Sequence, residues 1–271
     1  MSWCRRRVLQ LTPKHTNTLY NYAVLLDTHL KRRAEAEQFY RRTLELESRH
    51  AFALYNLAVL LEELMAQQGG QGGLPEDQKR EVAALYKRAV DADPRDPATL
   101  ADYGRYLYMQ LGEVAGAEQA LQAALKQDAQ CESALYHLAL LTHKEQRSAP
   151  QATALLQRLL VVHPQHVNGL LALARVHADT VRSPELAGGE RDRVLEQCVQ
   201  LYEQAASLHR EPAQVLAEYL RVLEAFGTAR MKVVALRSAA GLLPKIDKAA
   251  EEDAVATCRA LMDRIQKSVS Y

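Results

Sequence analysis

The amino-acid sequence predicts an all-α protein, and three observations lead to this fold class. Of the 271 residues, 42 are Leu and 42 are Ala, whereas Ile occurs only twice. Strong helix formers therefore outnumber the β-branched residues that favour strands. Apolar residues also recur at the three- and four-residue spacing of a helix face. Finally, similar segments return along the chain, which is the signature of a repeat architecture.

The repeat is visible in the letters of the sequence. LYNYAVLL at residues 19–26 returns as LYNLAVLL at 54–61, and the same shift of 35 aligns RRVLQLTPKH (6–15) with RRTLELESRH (41–50). Successive units carry a small residue at the same place, with a leucine in the sixth: Ala23, Ala58, Gly104, Ala139, Ala174 and then Leu220. The steps are 35, 46, 35, 35 and 46 residues, so two units contain an insertion, near 66–78 and 180–191.

Each unit divides into two helical segments. In the second unit, the first segment has apolar residues at positions 54, 57, 58 and 61, and the second segment ends just before Pro94, which cannot continue a helix. The second segments carry small residues of their own, at Ala36, Ala117, Ala152 and Cys198. Small residues on both segments let the two backbones approach, and stacking of neighbouring pairs then completes the core.

These positions resemble the tetratricopeptide-repeat (TPR) family over residues 5–244. The family pattern W-x-x-L-G-x-x-Y…A-x-x-x-F-x-x-A…P is matched closely by Leu54-Leu57-Ala58-Leu61…Tyr86-Ala89…Pro94 and nearly as well in the third unit. The resemblance implies a right-handed α-solenoid of about six units. It comprises a half-repeat helix at 1–15, the array at 16–244 and a C-terminal capping helix at 245–271. The sixth unit departs from the pattern, with Leu220 and Lys232 at positions that should be small.

The sequence supports a separate prediction for each end of the array. Residues 5–15 match only the second helix of a unit, so either further sequence precedes this chain or the lone helix caps the first complete unit. An amphipathic helix is expected over 247–269, with Cys258, Leu261 and Ile265 towards the stack. A pentatricopeptide array, which binds RNA, has a similar period, but its closing Gly-Ile-x-Pro-Asp loop does not occur here.

Charge and motifs exclude several function classes. The 34 basic and 33 acidic residues nearly cancel, which supplies no field for nucleic acid or an anionic membrane. Four widely spaced cysteines and a start without a secretory apolar region favour a cytoplasmic protein. No metal, cofactor or catalytic motif stands out, so we expect no cofactor and no enzymatic activity. Acidic residues such as Glu62 and Glu63 are interpreted as solvated.

The TPR resemblance also implies a binding groove for a protein or peptide, lined by one face of the first helices. Carried over position by position, the groove residues are Tyr20, Asn21, Val24, Phe52, Tyr55, Asn56, Val59, Arg105, Tyr108, Tyr136, Leu140, Leu171, Arg175 and Arg221. Aromatic and arginine side chains dominate binding hot spots. The arginines are expected to hold acidic groups of the partner, and the two asparagines to bond its backbone.

Two further expectations concern the partner. The clamp by which some TPR proteins hold chaperone C-termini needs Lys and Asn where this chain has Tyr20 and Val24. It also needs Lys and Arg where this chain has Ala98 and Asp102, so a chaperone tail is not expected. The leading hypothesis is a non-catalytic interaction scaffold. The alternative is the substrate-recruiting arm of a larger enzyme, such as a glycosyltransferase, motivated by the two asparagines and by the start within a repeat.

Overall fold

The computed structural model describes residues 15–68, 75–184, 186, 188–209, 212–243 and 252–269. Over these ranges the chain forms thirteen α-helices and no strand, which confirms the all-α prediction. The helices are α1 (Thr16–Val24), α2 (Arg33–Leu46), α3 (Ala51–Gln68), α4 (Glu76–Ala92), α5 (Pro97–Tyr106), α6 (Val114–Gln127), α7 (Glu132–Lys144), α8 (Ala149–Val162), α9 (Val167–Arg182), α10 (Gly188–Leu208), α11 (Pro212–Phe226), α12 (Ala229–Leu242) and α13 (Glu252–Val269). Helices α1 and α5 each continue into a π-helical turn, at Leu25–His29 and Leu107–Leu111. The half-repeat helix predicted for 1–15 lies outside the described residues, apart from the cap at His15.

The chain divides into two compact units, residues 1–137 and 138–271, and the division falls inside α7. In the N-terminal unit each first helix of a repeat packs against its second helix: α1 on α2, α3 on α4 and α5 on α6. In the C-terminal unit α8 packs on α9, α9 on α10 and α10 on α11. Each unit has its own cluster of buried apolar residues, so each builds its own core.

The small residues lie at the helix crossings, as the repeat pattern predicts. Ala58 and Ala174 on first helices, and Ala117 on a second helix, are completely buried. Helices α5 and α6 approach closely at Gly104. A Cβ atom on this glycine would lie 2.7 Å from Cγ of Leu121 and 3.0 Å from the carbonyl oxygen of Ala117. A side chain at this position would force Leu121 to shift and would crowd the carbonyl oxygen of Ala117.

A repeated N-cap fixes where the first helices begin. His15, His50, Asp96 and His166 precede α1, α3, α5 and α9, and they occupy equivalent positions of the repeat. Each side chain accepts a hydrogen bond from a backbone N–H of the first turn, at 3.2 Å for His15 and His50 and 2.7 Å for His166. These bonds satisfy amides that have no partner within the helix. Three of the nine histidines therefore have a structural role.

The turn between first and second helix depends on one residue with positive φ. Lys31 (φ 54°), Gly112 (67°) and Arg147 (50°) occupy equivalent positions in the first, third and fourth units. Glycine adopts this left-handed conformation readily, whereas a residue with a Cβ pays a steric cost. The repeat geometry thus imposes the same backbone conformation on three different residue types.

The helices extend further into both insertions than the sequence predicts. Helix α3 continues to Gln68 and α4 begins at Glu76, with 69–74 outside the described residues. Helix α9 continues to Arg182, and α10 begins at Gly188, so residues 188–191 are helical although the prediction placed them in a loop. Gly188 and Gly189 lie in the first turn of α10, whose amides lack intrahelical partners in any sequence, so glycine weakens the helix little there.

The C-terminal helix does more than cap the array. The prediction paired α11 with α12, but α11 packs more extensively against α13. Leu220, fully buried, stands where other first helices have a small residue, so α11 lacks the usual site for a close crossing. Instead the Sγ of Cys258 donates to the carbonyl oxygen of Ala213 at 3.2 Å. The predicted inward residues of this helix, Cys258, Leu261 and Ile265, are buried as expected.

Three glycines provide a test of these constraints. Gly104→Ala should lower the free energy of unfolding by about 1–3 kcal/mol, because the new methyl group overlaps the Leu121 side chain and crowds the Ala117 carbonyl oxygen. Gly112→Ala should lower it by about 1 kcal/mol, because of its positive φ alone. Gly189→Ala, where a Cβ meets nothing within 4 Å, should leave stability unchanged or raise it. Urea unfolding followed by circular dichroism measures all three. Equal stability of Gly104→Ala and wild type would show that the crossing is looser than described.

Candidate functional site

The predicted groove residues fall in both units. Ten of them, from Tyr20 to Tyr136, lie on the first helices of the N-terminal unit, and the other four lie in the C-terminal unit. In the N-terminal unit Phe52 and Asn21 are exposed, and the remaining eight are half-buried. The N-terminal unit therefore presents most of the candidate surface, and it is described first.

Three aromatic residues, Tyr20, Phe52 and Tyr55, form what we call the aromatic row. The ring of Tyr20 on α1 lies 6.4 Å from that of Phe52 on α3 and 4.9 Å from the imidazole of His50. Tyr55 lies one turn further along α3, and its ring meets Tyr86 edge-on at 6.2 Å. Phe52 is 65 % exposed, whereas Tyr20 and Tyr55 pack partly against the core. The row thus joins buried scaffold to an exposed apolar ring.

The tyrosines of the row are bonded to the next repeat along the chain. The Nδ2 of Asn56 donates to the hydroxyl oxygen of Tyr20 at 3.1 Å, and the Tyr55 hydroxyl donates to Oδ2 of Asp102 at 2.7 Å. Asn56 and Asp102 occupy equivalent repeat positions. The amide of Asn56 was expected to hold a partner's backbone, but its N–H group already bonds the scaffold. This weakens the argument for the asparagine pair, and with it that for an enzyme's recruiting arm.

A second polar link joins α3, α4 and α5 around Glu62. Both carboxylate oxygens of Glu62 accept from the guanidinium of Arg105 at 2.7 Å, and Oε2 also accepts from the Tyr86 hydroxyl at 3.0 Å. The Glu62 side chain is 18 % exposed, so its interpretation as a solvated residue is wrong. Arg105 was expected to hold a partner's acidic group, yet its guanidinium already donates two hydrogen bonds to Glu62 of the same chain.

The electrostatics of this network follow from burial and pairing. The hydrogen bonds to Glu62 raise the pKa of the Arg105 guanidinium, against the opposing effect of its burial. Burial raises the pKa of Tyr55, as do the hydrogen bond to Asp102 and its negative charge. Burial and the charge of Glu62 likewise raise the pKa of Tyr86. The tyrosines therefore stay protonated hydrogen-bond donors, and the arginine stays charged.

The C-terminal unit contains a similar but more exposed ion pair. The Nε and Nη2 of Arg175 on α9 donate to the two carboxylate oxygens of Glu218 on α11 at 2.9 and 2.8 Å. The Arg175 side chain is 53 % exposed. Leu171 is buried in the core of this unit and presents little surface, Leu140 is half-buried, and Arg221 is exposed. Of these four predicted residues, the two arginines are the most accessible.

Sequence reasoning missed the acidic partners of this site. Glu62 pairs with Arg105, and Arg175 pairs with Glu218; in both cases the partners are 43 residues apart. That separation is three residues, about one helical turn, shorter than the long repeat step of 46 residues. A search for opposite charges at this spacing on successive first helices would have found both pairs. The periodicity of a single helix gives no sign of them.

The chemistry available at this site is molecular recognition. Within the described residues, no group of three or more His, Cys, Asp or Glu side chains is placed to hold a metal ion. What the first helices offer is apolar and aromatic surface, hydrogen-bonding groups and charge, and these are the elements of protein–protein contact.

Comparisons with known proteins bear on the fold. No family model and no curated protein sequence matches the chain. Among solved structures, YrrB, a TPR protein with an unusual peptide-binding site, gives a TM-score of 0.58 at 15 % identity and covers 76 % of this chain and 98 % of its own. Pseudomonas aeruginosa PilF gives a TM-score of 0.62 at 19 % sequence identity, and the match covers 84 % of this chain and 94 % of PilF. Human IFIT1, solved as a dimer with m7Gppp-AAAA, gives a TM-score of 0.57 at 15 % sequence identity, and the match covers 84 % of this chain and 50 % of IFIT1.

At these identities the similarity concerns the fold. The neighbours are TPR proteins, and the chain has their all-α solenoid type of fold, so the fold-level resemblance drawn from the motifs is confirmed. TPR proteins of this kind serve in general as interaction scaffolds.

The two ion pairs test how burial sets the strength of these links. A double-mutant cycle with Glu62→Gln and Arg105→Met should give a coupling energy of about 1–3 kcal/mol, since both groups are largely buried. The same cycle with Glu218→Gln and Arg175→Met should give below about 1 kcal/mol, since that pair is exposed and screened. Urea unfolding of the wild type, the four single variants and the two double variants measures both. Equal couplings would contradict the assigned difference in burial.

Proposed function

We propose that this protein is a non-catalytic scaffold that binds a segment of a partner protein on the first helices of its N-terminal unit. The observation that carries the proposal is the exposure of Phe52, 65 % of whose surface faces solvent beside Tyr20. A single exposed apolar residue is ordinary. Here, however, it lies beside half-buried Tyr20 of α1, and half-buried Tyr55 and Val59 follow it along α3, so the apolar surface extends over two helices.

The polar links support this proposal because they hold the surface in place. Tyr20 and Tyr55 are each bonded to the following first helix, so binding need not order them. Pre-organisation of this kind raises affinity by reducing the entropy lost on binding. The proposed ligand is an extended or helical segment with large apolar side chains at regular intervals, the ligand type that grooves between helices accept.

The structure also indicates which substitutions test binding without disturbing the fold. Tyr55→Ala removes the bond to Asp102 and the ring contact with Tyr86, so it perturbs the scaffold as well as the surface. Phe52 has no such internal link described beyond its ring contact with Tyr20, which makes it the cleaner probe. In the C-terminal unit, Arg175 and Arg221 stay proposed contacts for acidic groups, with Glu218 competing for Arg175.

Compartment and ligand class belong to the same proposal. No helix in the described part of the chain is long and apolar enough to cross a membrane. The scattered cysteines favour a reducing compartment, so we place the protein in the cytoplasm. Near-zero net charge disfavours nucleic acid. The two lysine positions of a chaperone-tail clamp hold Tyr20 and Ala98 in this chain.

Phe52→Ala tests the proposal directly. Partners are captured from a cell extract with the full chain and identified, and each is produced pure for calorimetric titration. Phe52→Ala should weaken binding by about 2 kcal/mol or more, as removal of a central aromatic contact does. Leu46→Ala, which removes a 45 % exposed side chain from a second helix of the same unit, is the matched control and should bind as wild type does.

Two outcomes would sink the proposal. One is normal binding by Phe52→Ala. The other is loss of binding on deletion of residues 69–74 with Phe52 intact, which would place the partner on the insertion. Circular dichroism of each variant separates lost binding from lost folding.

A further inference from the structure

Charge is unevenly distributed between the two kinds of helix in the N-terminal unit. Second helices are balanced, with three acidic and three basic residues on α2, four and four on α4, and one and one on α6. First helices, with their π-helical turns and the start of α7 up to residue 137, carry five acidic residues and one basic residue: Asp27, Glu62, Glu63, Asp102, Glu132 and Arg105. The candidate binding surface is therefore acidic, although the whole chain has a net charge of +1.

The single arginine does not cancel this excess. Arg105 is bound through both outer nitrogens to Glu62, and its Nε lies 3.6 Å from Asp102. One guanidinium thus faces two carboxylates. Glu63 pairs with Arg33 of a second helix at 2.6 Å. Negative charge remains around Asp102, whereas Asp27 and Glu63 are faced by Arg33 and Lys31.

This negative field reaches the aromatic row. Asp102 accepts a hydrogen bond from the hydroxyl of Tyr55, within the row itself. Asp27 lies close enough to Tyr40 for its charge to add to burial in raising the pKa of that tyrosine, and the ring of Tyr40 lies 6.2 Å from that of Tyr20. Burial and then the charge of Glu63 raise the pKa of Asp27, against the opposing charges of Arg33 and Lys31. One carboxylate therefore contacts the row directly, at Tyr55, and a second acts on Tyr40, the ring next to Tyr20.

Aromatic rings next to carboxylates form a surface suited to cations. A Lys or Arg side chain gains from the ring face of a Tyr or Phe within about 6 Å, and gains further from a nearby carboxylate. An acidic segment would instead meet like charge, which costs binding energy and slows association. The same field repels nucleic acid and anionic lipid.

We propose that the segment bound by the first helices of the N-terminal unit is basic, with Lys or Arg side chains interspersed among large apolar ones. This inference rests on the proposed function, since it names the chemistry of the partner at that same surface. It replaces the sequence-based expectation that Arg105 receives acidic groups there. The apolar side chains contact Phe52 and its neighbours, and the basic ones lie against Asp27 and Asp102.

A random short-peptide library displayed on phage is the first test. The full chain selects binders, and each binder is tested against Phe52→Ala. Peptides that need Phe52 should contain more Lys and Arg than Asp and Glu, relative to the unselected library. If they are neutral or acidic, the inference is wrong while the proposed function stands. If no selected peptide needs Phe52, the proposed function fails and the inference fails with it.

A matched pair of charge variants is the second test. Asp27→Asn with Asp102→Asn keeps side-chain size and an acceptor for Tyr55 but removes two charges from first helices. Asp77→Asn with Asp91→Asn removes two exposed charges from α4 and is the control. Fluorescence anisotropy with a Phe52-dependent peptide should show affinity falling roughly 3- to 10-fold for the first variant at low salt, less at high salt, and unchanged for the control. Unchanged or increased affinity of the first variant, with its thermal unfolding intact, would overturn the inference.

Discussion

The close approach of paired helices at small residues is the constraint on which the rest of this structure depends. At Gly104 the neighbouring helix leaves no room for even a methyl group. Elsewhere alanine serves, as at Ala58, which is completely buried. Because this contact fixes which side of each first helix faces the second helix of its repeat, it also fixes which side remains for other contacts. Tyr55, three residues before Ala58, and Arg105, one after Gly104, lie on that remaining side.

The same surface both holds the repeats together and is available for binding, and these roles compete for side chains. Asn56, Asp102 and Arg105 are engaged between repeats, so they fix the positions of their neighbours more than they offer free bonds to a partner. Phe52 is left with most of its surface in water. A partner would accordingly gain affinity from apolar contact on a pre-formed surface and specificity from the charge around it.

What the sequence predicts well here is what depends on local spacing. Helix periodicity, the closing prolines and the small-residue series depend on neighbours within one or two turns, and they placed the helices and the crossing at Ala58 correctly. The inward face of the last helix was also predicted, because Cys258, Leu261 and Ile265 share one helical stripe.

What the sequence did not predict depends on distance across repeats. Arg105 and Glu62 are 43 residues apart, and whether they meet is decided by the insertion between them and by how α3 and α5 pack. The capping histidines were not predicted for another reason: His50 and His166 are uncommon residues at a helix start, where Ser, Thr, Asp and Asn are the usual caps. The packing of α13 on α11 likewise follows from tertiary contacts around Leu220, which no pattern within one helix encodes.

The most direct test of the central claim, that partners bind along the first helices of the N-terminal unit, is hydroxyl-radical footprinting of the full chain with and without a captured partner. Oxidation of Phe52 and Tyr20 should fall on binding, because the partner covers them. Oxidation of Leu46, on a second helix, should stay unchanged. Protection of Leu46 with Phe52 still fully reactive would contradict the account.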